Sequence, residues 1–311
     1  MREEILFRMN STYREPFEIK SYHFGGTGKT VCVIGNLRGN EIQQMYTAAA
    51  LVKRLKRIEE QGFFRRNYGV TVVPTANTYS VNIGKRFWAM DNSDINRMFP
   101  GYNRGETTQR IAAGLFEKIQ GYKYGIHLSS CYISGDYVTH LRIVKTPYQE
   151  AGEAQLFGLP FIVFRKPIPF DTTTLNFNWQ VWDTKTFSLI SHYTDKVNVK
   201  DSELEVASIL RFLSRMGIID YSIYGGFEST IFYEEELKTV RAEAPGIFLP
   251  KVDVFDEVLA GQELAQITDA QTGEVLSSVK AEEDGILFYR KSEPLVMEHE
   301  EIFMIVPKLH R

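Results

Sequence analysis

The sequence has few cysteines and no long apolar segment. Only Cys32 and Cys131 occur in the 311 residues, and both have apolar neighbours, so free thiols are expected rather than a disulfide framework. No apolar run approaches the roughly 20 residues that a membrane-spanning helix requires. The N-terminus, Met-Arg-Glu-Glu, lacks the apolar core of a secretory signal. These absences predict a cytoplasmic protein without a membrane partner.

An excess of charge of either sign is also absent. The formal net charge is -3, with 36 lysines and arginines against 39 aspartates and glutamates scattered along the chain. Nucleic acids and anionic membrane surfaces are bound by clustered cations, so we expect neither as a partner. The apolar fraction of 43% is sufficient for a large core and a second, small domain.

Apolar runs alternate with amphipathic segments over the first two thirds of the chain. Residues 31–34 have the continuous apolar character of a buried parallel strand, and a helix is predicted from Asn40, with Gln43 completing a capping box. Further strands are predicted over residues 68–74, 124–128, 138–144, 161–164 and 187–190, and further helices over residues 108–119 and 204–213. This alternation predicts an α/β fold, with a mostly parallel sheet covered by helices on both faces.

From about residue 221 the sequence changes to short strands and turns. The motif Gly-Ile-Phe at residues 246–248 recurs as Gly-Ile-Leu at residues 285–287, 39 positions later. Two similar halves of this kind predict a small β-sandwich with internal pseudo-symmetry. We therefore expect an α/β domain over residues 1–225 and a β-domain over residues 226–311.

The segment 82–101 concentrates charged and amide side chains among aromatic ones and follows neither a helical nor a strand period. Long ordered loops of this kind are often functional. Asn96 and Arg97 place an amide beside a guanidinium, a pair suited to holding a carboxylate with two parallel hydrogen bonds. The alternative is a structural loop in which Arg97 pairs with Asp94 or Asp91.

Three polar segments fall at the carboxyl ends of predicted strands: residues 35–41, residues 82–101 and His127. In open α/β sheets, ligands bind beyond the carboxyl ends of the strands. We therefore expect these segments to form one site.

Three segments resemble, in order, one known family. They are Gly35-Asn36-Leu37-Arg38-Gly39-Asn40-Glu41, Asp94-Ile95-Asn96-Arg97-Met98-Phe99-Pro100-Gly101 and Gly125-Ile126-His127-Leu128. The family is that of the succinylglutamate desuccinylases and aspartoacylases, which belongs with the zinc carboxypeptidases, and the C-terminal repeat is similar to its usual β-domain. The resemblance implies a zinc carboxypeptidase-like fold and a metal-dependent hydrolase that cleaves the amide of an N-acyl amino acid or similar small carboxylate substrate. A homo-oligomer is left open.

The resemblance also implies roles for single residues. Glu41 and His127 match two of the three ligands of one zinc ion, which would polarise the amide carbonyl and lower the pKa of a bound water. Arg86 matches the arginine that stabilises the oxyanion. Asn96 and Arg97 match the pair that binds the carboxylate of the substrate.

Two positions depart from the family pattern. Arg38 stands where the family has its first histidine ligand, and a guanidinium has no lone pair to give to zinc. His140 is the candidate replacement ligand. The catalytic glutamate is expected near Ser188, where no acid stands, and His192 is the candidate proton shuttle because histidine titrates near neutral pH. For both histidines, an ordinary hydrogen-bonded or solvated role is the alternative.

Three functions are compatible with these observations. The first is a zinc-dependent deacylase. The second is a degenerate family member without zinc that binds a small carboxylate ligand or acts as a regulatory protein, and it predicts an ion pair between Arg38 and Glu41. The third is a structural subunit whose β-domain drives assembly.

Overall fold

The computed structural model describes residues 1–131, 133–149 and 152–308, and the chain divides into two compact units. The first unit comprises Met1–Ser130 and Thr139–Ile231, and the second comprises Cys131–Val138 and the chain from Phe232 onwards. The second unit therefore takes a short segment from within the α/β part of the sequence. No helix among the described residues is long and apolar enough to cross a membrane.

Regular secondary structure covers much of both units. The strands are β1 (Arg2–Met9), β2 (Phe17–Gly25), β3 (Val31–Asn36), β4 (Gly69–Thr75), β5 (Tyr124–Ser129), β6 (Asp136–Tyr137), β7 (His140–Val144), β8 (Phe161–Arg165), β9 (Lys185–Ile190), β10 (Thr230–Tyr233), β11 (Lys238–Arg241), β12 (Gly246–Pro250), β13 (Glu257–Val258), β14 (Glu263–Thr268), β15 (Val275–Lys280), β16 (Gly285–Arg290), β17 (Leu295–Val296) and β18 (Glu301–Pro307). The helices are α1 (Ile42–Glu60), α2 (Thr78–Val81), α3 (Thr107–Ile119), α4 (Leu175–Val181) and α5 (Val199–Arg215).

One large mixed sheet organises the first unit. Its strand order is β1-β2-β4-β3-β5-β9-β7-β8-β10. The central strands β4, β3, β5 and β9 run parallel to one another, whereas β1 and β2 are antiparallel at one edge. The predicted α/β fold with a mostly parallel central sheet is confirmed. Strand β1 and helix α4 were not predicted.

The two faces of this sheet carry separate apolar cores. Val33 of β3 packs in a core with residues of α1 and α5, whereas its neighbour Ile34 packs in a second core with residues of α3 and with Trp179 of α4. Alternate residues of a strand point to opposite faces, so the continuous apolar run of β3 supplies both cores. This accounts for the predicted helices on both faces.

The predicted capping box at the start of α1 is wrong. The N-cap is Glu41, one residue later than expected, and its side chain does not cap the helix. The Gln43 amide instead donates to the Asn198 carbonyl at 3.1 Å and accepts from the Asn198 N–H at 2.8 Å. Because Asn198 is itself the N-cap of α5, Gln43 joins the beginnings of the two helices.

The second unit contains two antiparallel sheets. One has the order β11-β18-β16-β13, with β6 also paired to β16, and the other has the order β15-β14-β12-β17. The 39-residue repeat is visible here, because β12, β13 and β14 recur as β16, β17 and β18. Each half pairs its first strand with the second strand of the other half. Residues of both sheets share one apolar core, which supports the proposed β-sandwich.

A buried acid lies between α1 and α5. Glu205 is 0% exposed and accepts a hydrogen bond of 2.7 Å from the Thr47 hydroxyl. Burial raises the pKa of its carboxyl to about 7, against the opposing effect of that hydrogen bond. The ionised form of Glu205 is therefore disfavoured in the folded protein.

We predict that Glu205→Gln stabilises the protein at pH 8 and has a much smaller effect at pH 5. The pKa of Glu205 is about 7 in the folded protein and roughly 4.3 in the unfolded chain, so the folded protein binds this proton more tightly. The resulting stabilisation of the folded state is complete below roughly pH 4.3 and is lost as the pH rises through about 7. A glutamine avoids the cost of ionisation, up to about 4 kcal/mol. Chemical denaturation at the two pH values measures the difference.

The matched control is Glu203→Gln, an exposed position on the same helix. It should leave the free energy of unfolding almost unchanged at both pH values. An effect of Glu205→Gln that is equal at pH 5 and pH 8 would contradict the assignment of the raised pKa to Glu205.

Candidate functional site

The candidate site lies at the carboxyl ends of β3, β5 and β9. His127 of β5 is in register with Ile34 of β3 and with Ser188 of β9. Two residues earlier in β5, a Cβ added to Gly125 would meet the Trp179 ring. Side chains at positions 125 and 127 share a face of the sheet, so His127 points to the side covered by α3 and α4.

Arg38 occupies the centre of the site, in the loop between β3 and α1. Its side chain is 6% exposed, and its Nη2 donates to Asp94 Oδ2 at 2.9 Å. Its Nε lies 3.1 Å from Oδ2 and 3.3 Å from Oδ1 of the same carboxylate, and its Nη1 donates to Glu41 Oε1 at 3.3 Å. The ion pair between Arg38 and Glu41 that the metal-free alternative predicted is therefore present.

The Glu41 carboxylate is fully occupied by hydrogen bonds from its own loop and from the residue that follows β5. Oε2 accepts from the backbone N–H groups of Leu37 and Arg38, both at 3.0 Å. Oε1 accepts from the Ser130 hydroxyl at 2.7 Å as well as from Arg38. Four donors hold this buried carboxylate, so no free oxygen is directed toward a metal ion.

The charges around Arg38 keep it protonated. Burial alone would lower the pKa of the guanidinium, but the charges of Glu41 and Asp94 outweigh that effect and raise the pKa above its ordinary value. The structural alternative in which Arg97 pairs with Asp94 is wrong, because Asp94 pairs with Arg38. Asp91 instead accepts from the backbone N–H of Ser93 at 2.9 Å.

His127 is held as a neutral imidazole. Its Nδ1 lies 3.0 Å from Asn176 Oδ1, and the amide nitrogen of Asn176 donates to the Ser188 hydroxyl at 2.6 Å. An amide in this orientation fixes the proton of His127 on Nδ1. Burial lowers the pKa of His127 to about 4, and its Nε2 has no hydrogen-bond partner among the described residues.

Hydrogen bonds connect the group around Arg38 with the group around His127. Asp94 Oδ1 accepts from the Asn96 N–H at 3.0 Å, and Asn96 Oδ1 accepts from the Leu175 N–H at 3.0 Å. Leu175 begins α4, and the next residue is Asn176, the partner of His127. One network therefore extends from Glu41 through the 82–101 loop to β9.

The structure places the other predicted residues around this network. Arg97 is partly exposed and donates from Nη1 to the Phe170 carbonyl at 3.0 Å. The Arg86 carbonyl accepts from the Gly39 N–H at 3.1 Å, and its guanidinium lies 5.8 Å from the centre of the Phe87 ring. The 82–101 loop and the 35–41 loop are therefore joined, as the single-site prediction requires.

His140 and His192, the candidate replacement ligand and the candidate proton shuttle, lie in environments that differ from that of His127. His140 begins β7, is completely buried and pairs with Ile190 of β9, so a strand separates it from His127. His192 follows β9, where its Nδ1 lies 3.9 Å from Asp201 Oδ2 and its ring centre lies 4.1 Å from that of Tyr193. Their proposed roles as ligand and proton shuttle remain predictions.

A zinc ion does not fit this arrangement. Within residues 1–131, 133–149 and 152–308, no three histidine, cysteine, aspartate or glutamate side chains form a group that could hold a metal. Glu41 and His127 lie in one network. The guanidinium of Arg38, however, lies between the carboxylates of Glu41 and Asp94 and occupies the position in which a metal cation would be expected.

Sequence reasoning missed three members of the site: Asp94, Ser130 and Asn176. Asp94 belongs to the recognised motif, but only the structure shows that it binds Arg38. Ser130 directly follows β5, so the rule that ligands bind beyond the carboxyl ends of the strands could have identified it. Asn176 has no sequence signal, because it approaches His127 from α4, 49 positions away.

The sequence of this chain is similar to those of known proteins. Residues 27–170 match the succinylglutamate desuccinylase/aspartoacylase catalytic domain. The chain is also similar to the N-alpha-acetyl-L-2,4-diaminobutyric acid deacetylase of Halomonas elongata, with 24% identity over 280 residues that cover 86% of this chain and 78% of the relative.

Solved structures share the fold over almost the whole chain. A succinylglutamate desuccinylase/aspartoacylase from Rhodobacter sphaeroides is 20% identical, with a TM-score of 0.75 over 93% of this chain and 89% of that chain. A succinylglutamate desuccinylase from a Silicibacter species is 16% identical, with a TM-score of 0.78 over 98% and 94% of the two chains. The matched catalytic domain and the related deacetylase confirm the resemblance of this chain to the succinylglutamate desuccinylase/aspartoacylase family, and the solved structures show that the fold is shared.

Proposed function

We propose that this chain binds a small carboxylate ligand of the N-acyl amino acid type in a pocket where Arg38 takes the place of a metal ion. The observation that carries the proposal is the position of the guanidinium, bonded to Asp94 at 2.9 Å and to Glu41 at 3.3 Å. A guanidinium is permanently charged, so Arg38 supplies a cation between the two carboxylates without the uptake of a metal.

The ligand class follows from the donors at the edge of the network. Arg97 is partly exposed and uses one N–H on the Phe170 carbonyl, so its planar fork retains donors for a carboxylate. Asn96 is fixed by Leu175, which keeps the neighbouring Arg97 in place. The Halomonas relative is named for an N-acetylated amino acid, a ligand that carries both a carboxylate and an amide.

The same pocket is poorly equipped for hydrolysis. Ser188 stands where the resemblance places the catalytic glutamate, and its hydroxyl accepts from Asn176 at 2.6 Å. A serine hydroxyl does not exchange a proton near neutral pH as a carboxylate does. Binding without turnover therefore accounts for both substitutions, Arg38 and Ser188.

A zinc-dependent deacylase is the second candidate, and one specific observation favours it. The lone pair of His127 Nε2 has no partner in the described part of the chain, while Asn176 orients the ring through Nδ1. Histidines that bind metals commonly have their second nitrogen fixed in this way. The family relationship adds support, because its members hydrolyse amides.

We predict that N-acetyl amino acids bind to the wild-type protein in the presence of EDTA. Arg97→Ala should weaken the affinity by about tenfold or more, because it removes a charge-assisted contact to the carboxylate. Isothermal titration calorimetry with a panel of N-acetyl amino acids measures both effects. The matched control is Arg66→Ala, an exposed arginine that precedes the amino end of β4 and should bind as the wild type does. Binding that disappears with EDTA would exclude the metal-free proposal.

We predict that the purified wild-type protein holds far less than one zinc ion per chain, and that Arg38→His raises its zinc content. The new imidazole would stand beside Asp94, with Glu41 and His127 already in the same network. Mass spectrometry of metal content measures the change, and Arg38→Gln is the control without a ligand atom for zinc. Stoichiometric zinc in the wild type would favour the deacylase instead. No gain in Arg38→His would show that the pocket lacks the geometry of a metal site.

A further inference from the structure

A concave surface lies on the outer side of α1 and α5. A groove of about 740 Å³ runs between these helices, within the range of roughly 300–1,000 Å³ that ligand-binding clefts occupy. Small and aliphatic side chains from both helices form much of its apolar lining, namely Ala49, Ala50, Val206, Ala207 and Leu210.

This groove is separate from the candidate site. Helices α1 and α5 pack on the core that contains Val33, whereas His127 faces the opposite side of the sheet, toward Trp179. A ligand in the groove therefore does not touch the network around Arg38.

Unpaired cations line the α1 side of the groove. Lys53, Arg54 and Arg57 are exposed and line the groove, and no ion pair in the described residues involves them. Glu203 is the acid among the lining residues. A chain with a net charge of -3 thus concentrates three cations against one acid around an apolar floor. Such a distribution favours an anionic partner.

A buried hydroxyl also lines the groove. Ser202 is 1% exposed, and its Oγ has no hydrogen-bond partner among the described residues. A buried polar group without a partner is unfavourable, and an acceptor on a bound ligand would satisfy the Ser202 hydroxyl.

The rim of the groove is apolar at its end near the start of both helices. Tyr46 is 37% exposed and Val199 is 52% exposed, and both line the groove. A partner that fills it must therefore present apolar side chains together with acids. That combination is typical of an amphipathic peptide segment laid along a groove.

We propose that the α1–α5 groove binds an acidic, amphipathic segment of a partner protein. Its apolar side chains would pack on the floor between Ala50 and Ala207, and its carboxylates would face Lys53, Arg54 and Arg57. A concave floor between two helices matches a peptide rather than the flat surface of a membrane. This proposal does not depend on the ligand of the Arg38 pocket.

The test uses two fluorescein-labelled 14-residue peptides with leucines at helical spacing. One carries glutamates at the remaining positions and the other carries lysines. Fluorescence anisotropy with the full chain should show saturable binding of the acidic peptide only. Replacement of Lys53, Arg54 and Arg57 by glutamine should weaken this binding about tenfold, and Ala49→Glu should weaken it through a charge placed in the groove.

The matched control replaces three exposed arginines outside the groove, Arg14, Arg104 and Arg110, by glutamine and should bind as the wild type does. All these positions are exposed, so the variants should fold, which circular dichroism verifies. Absence of saturable binding by the acidic peptide overturns the proposal, as does an equal loss in the control variant. Sedimentation with phosphatidylserine vesicles that depends on the three groove cations would assign the groove to a membrane surface and likewise overturn it.

Discussion

The buried contact between Arg38 and the carboxylates of Asp94 and Glu41 is the interaction on which the site depends. Arg38 and Glu41 are buried and Asp94 is largely so, and an uncompensated charge in such a region is strongly unfavourable. Each is compensated by the others and by hydrogen bonds, including two backbone N–H groups and a serine hydroxyl on Glu41. The loop after β3 and the 82–101 loop are consequently held together by charge, and the remaining polar groups are arranged around that anchor.

The network gives the site a fixed form. From Asp94 it continues through Asn96 to the first residue of α4, and from Asn176 to His127 and Ser188. The connections of Arg38 with Asp94, of Asn96 with Leu175 and of Asn176 with His127 join segments that are distant in the sequence, so the site is complete only when the sheet and both loops have folded. Pre-organised donors reduce the conformational entropy lost on binding.

Much of the fold was predictable, because the apolar period of the strands reports directly on burial. The run at residues 31–34 identified β3, and the strands over 124–128 and 187–190 were found almost at their observed bounds. The start of α1 was not predicted correctly, because Gln43 forms a contact with Asn198 that no local pattern reveals.

In the site, the ion pair of Arg38 with Glu41 followed from their spacing of three residues. The contributions of Asp94 and Asn176 depend on tertiary proximity, which a single sequence does not encode in a local motif.

The pairing of β6 with β16 has a consequence for how the C-terminal unit can be separated from the rest. β6 comes from the α/β part of the chain, and its Asp136 forms an ion pair of 2.5 Å with Arg290 of β16. A fragment that began after β10 would leave Tyr289 and Arg290 of β16 without their neighbouring strand and Arg290 without that carboxylate. The C-terminal unit is therefore not a module that one cut can excise, and transplanting it into another protein would require the loop that carries β6 to move with it.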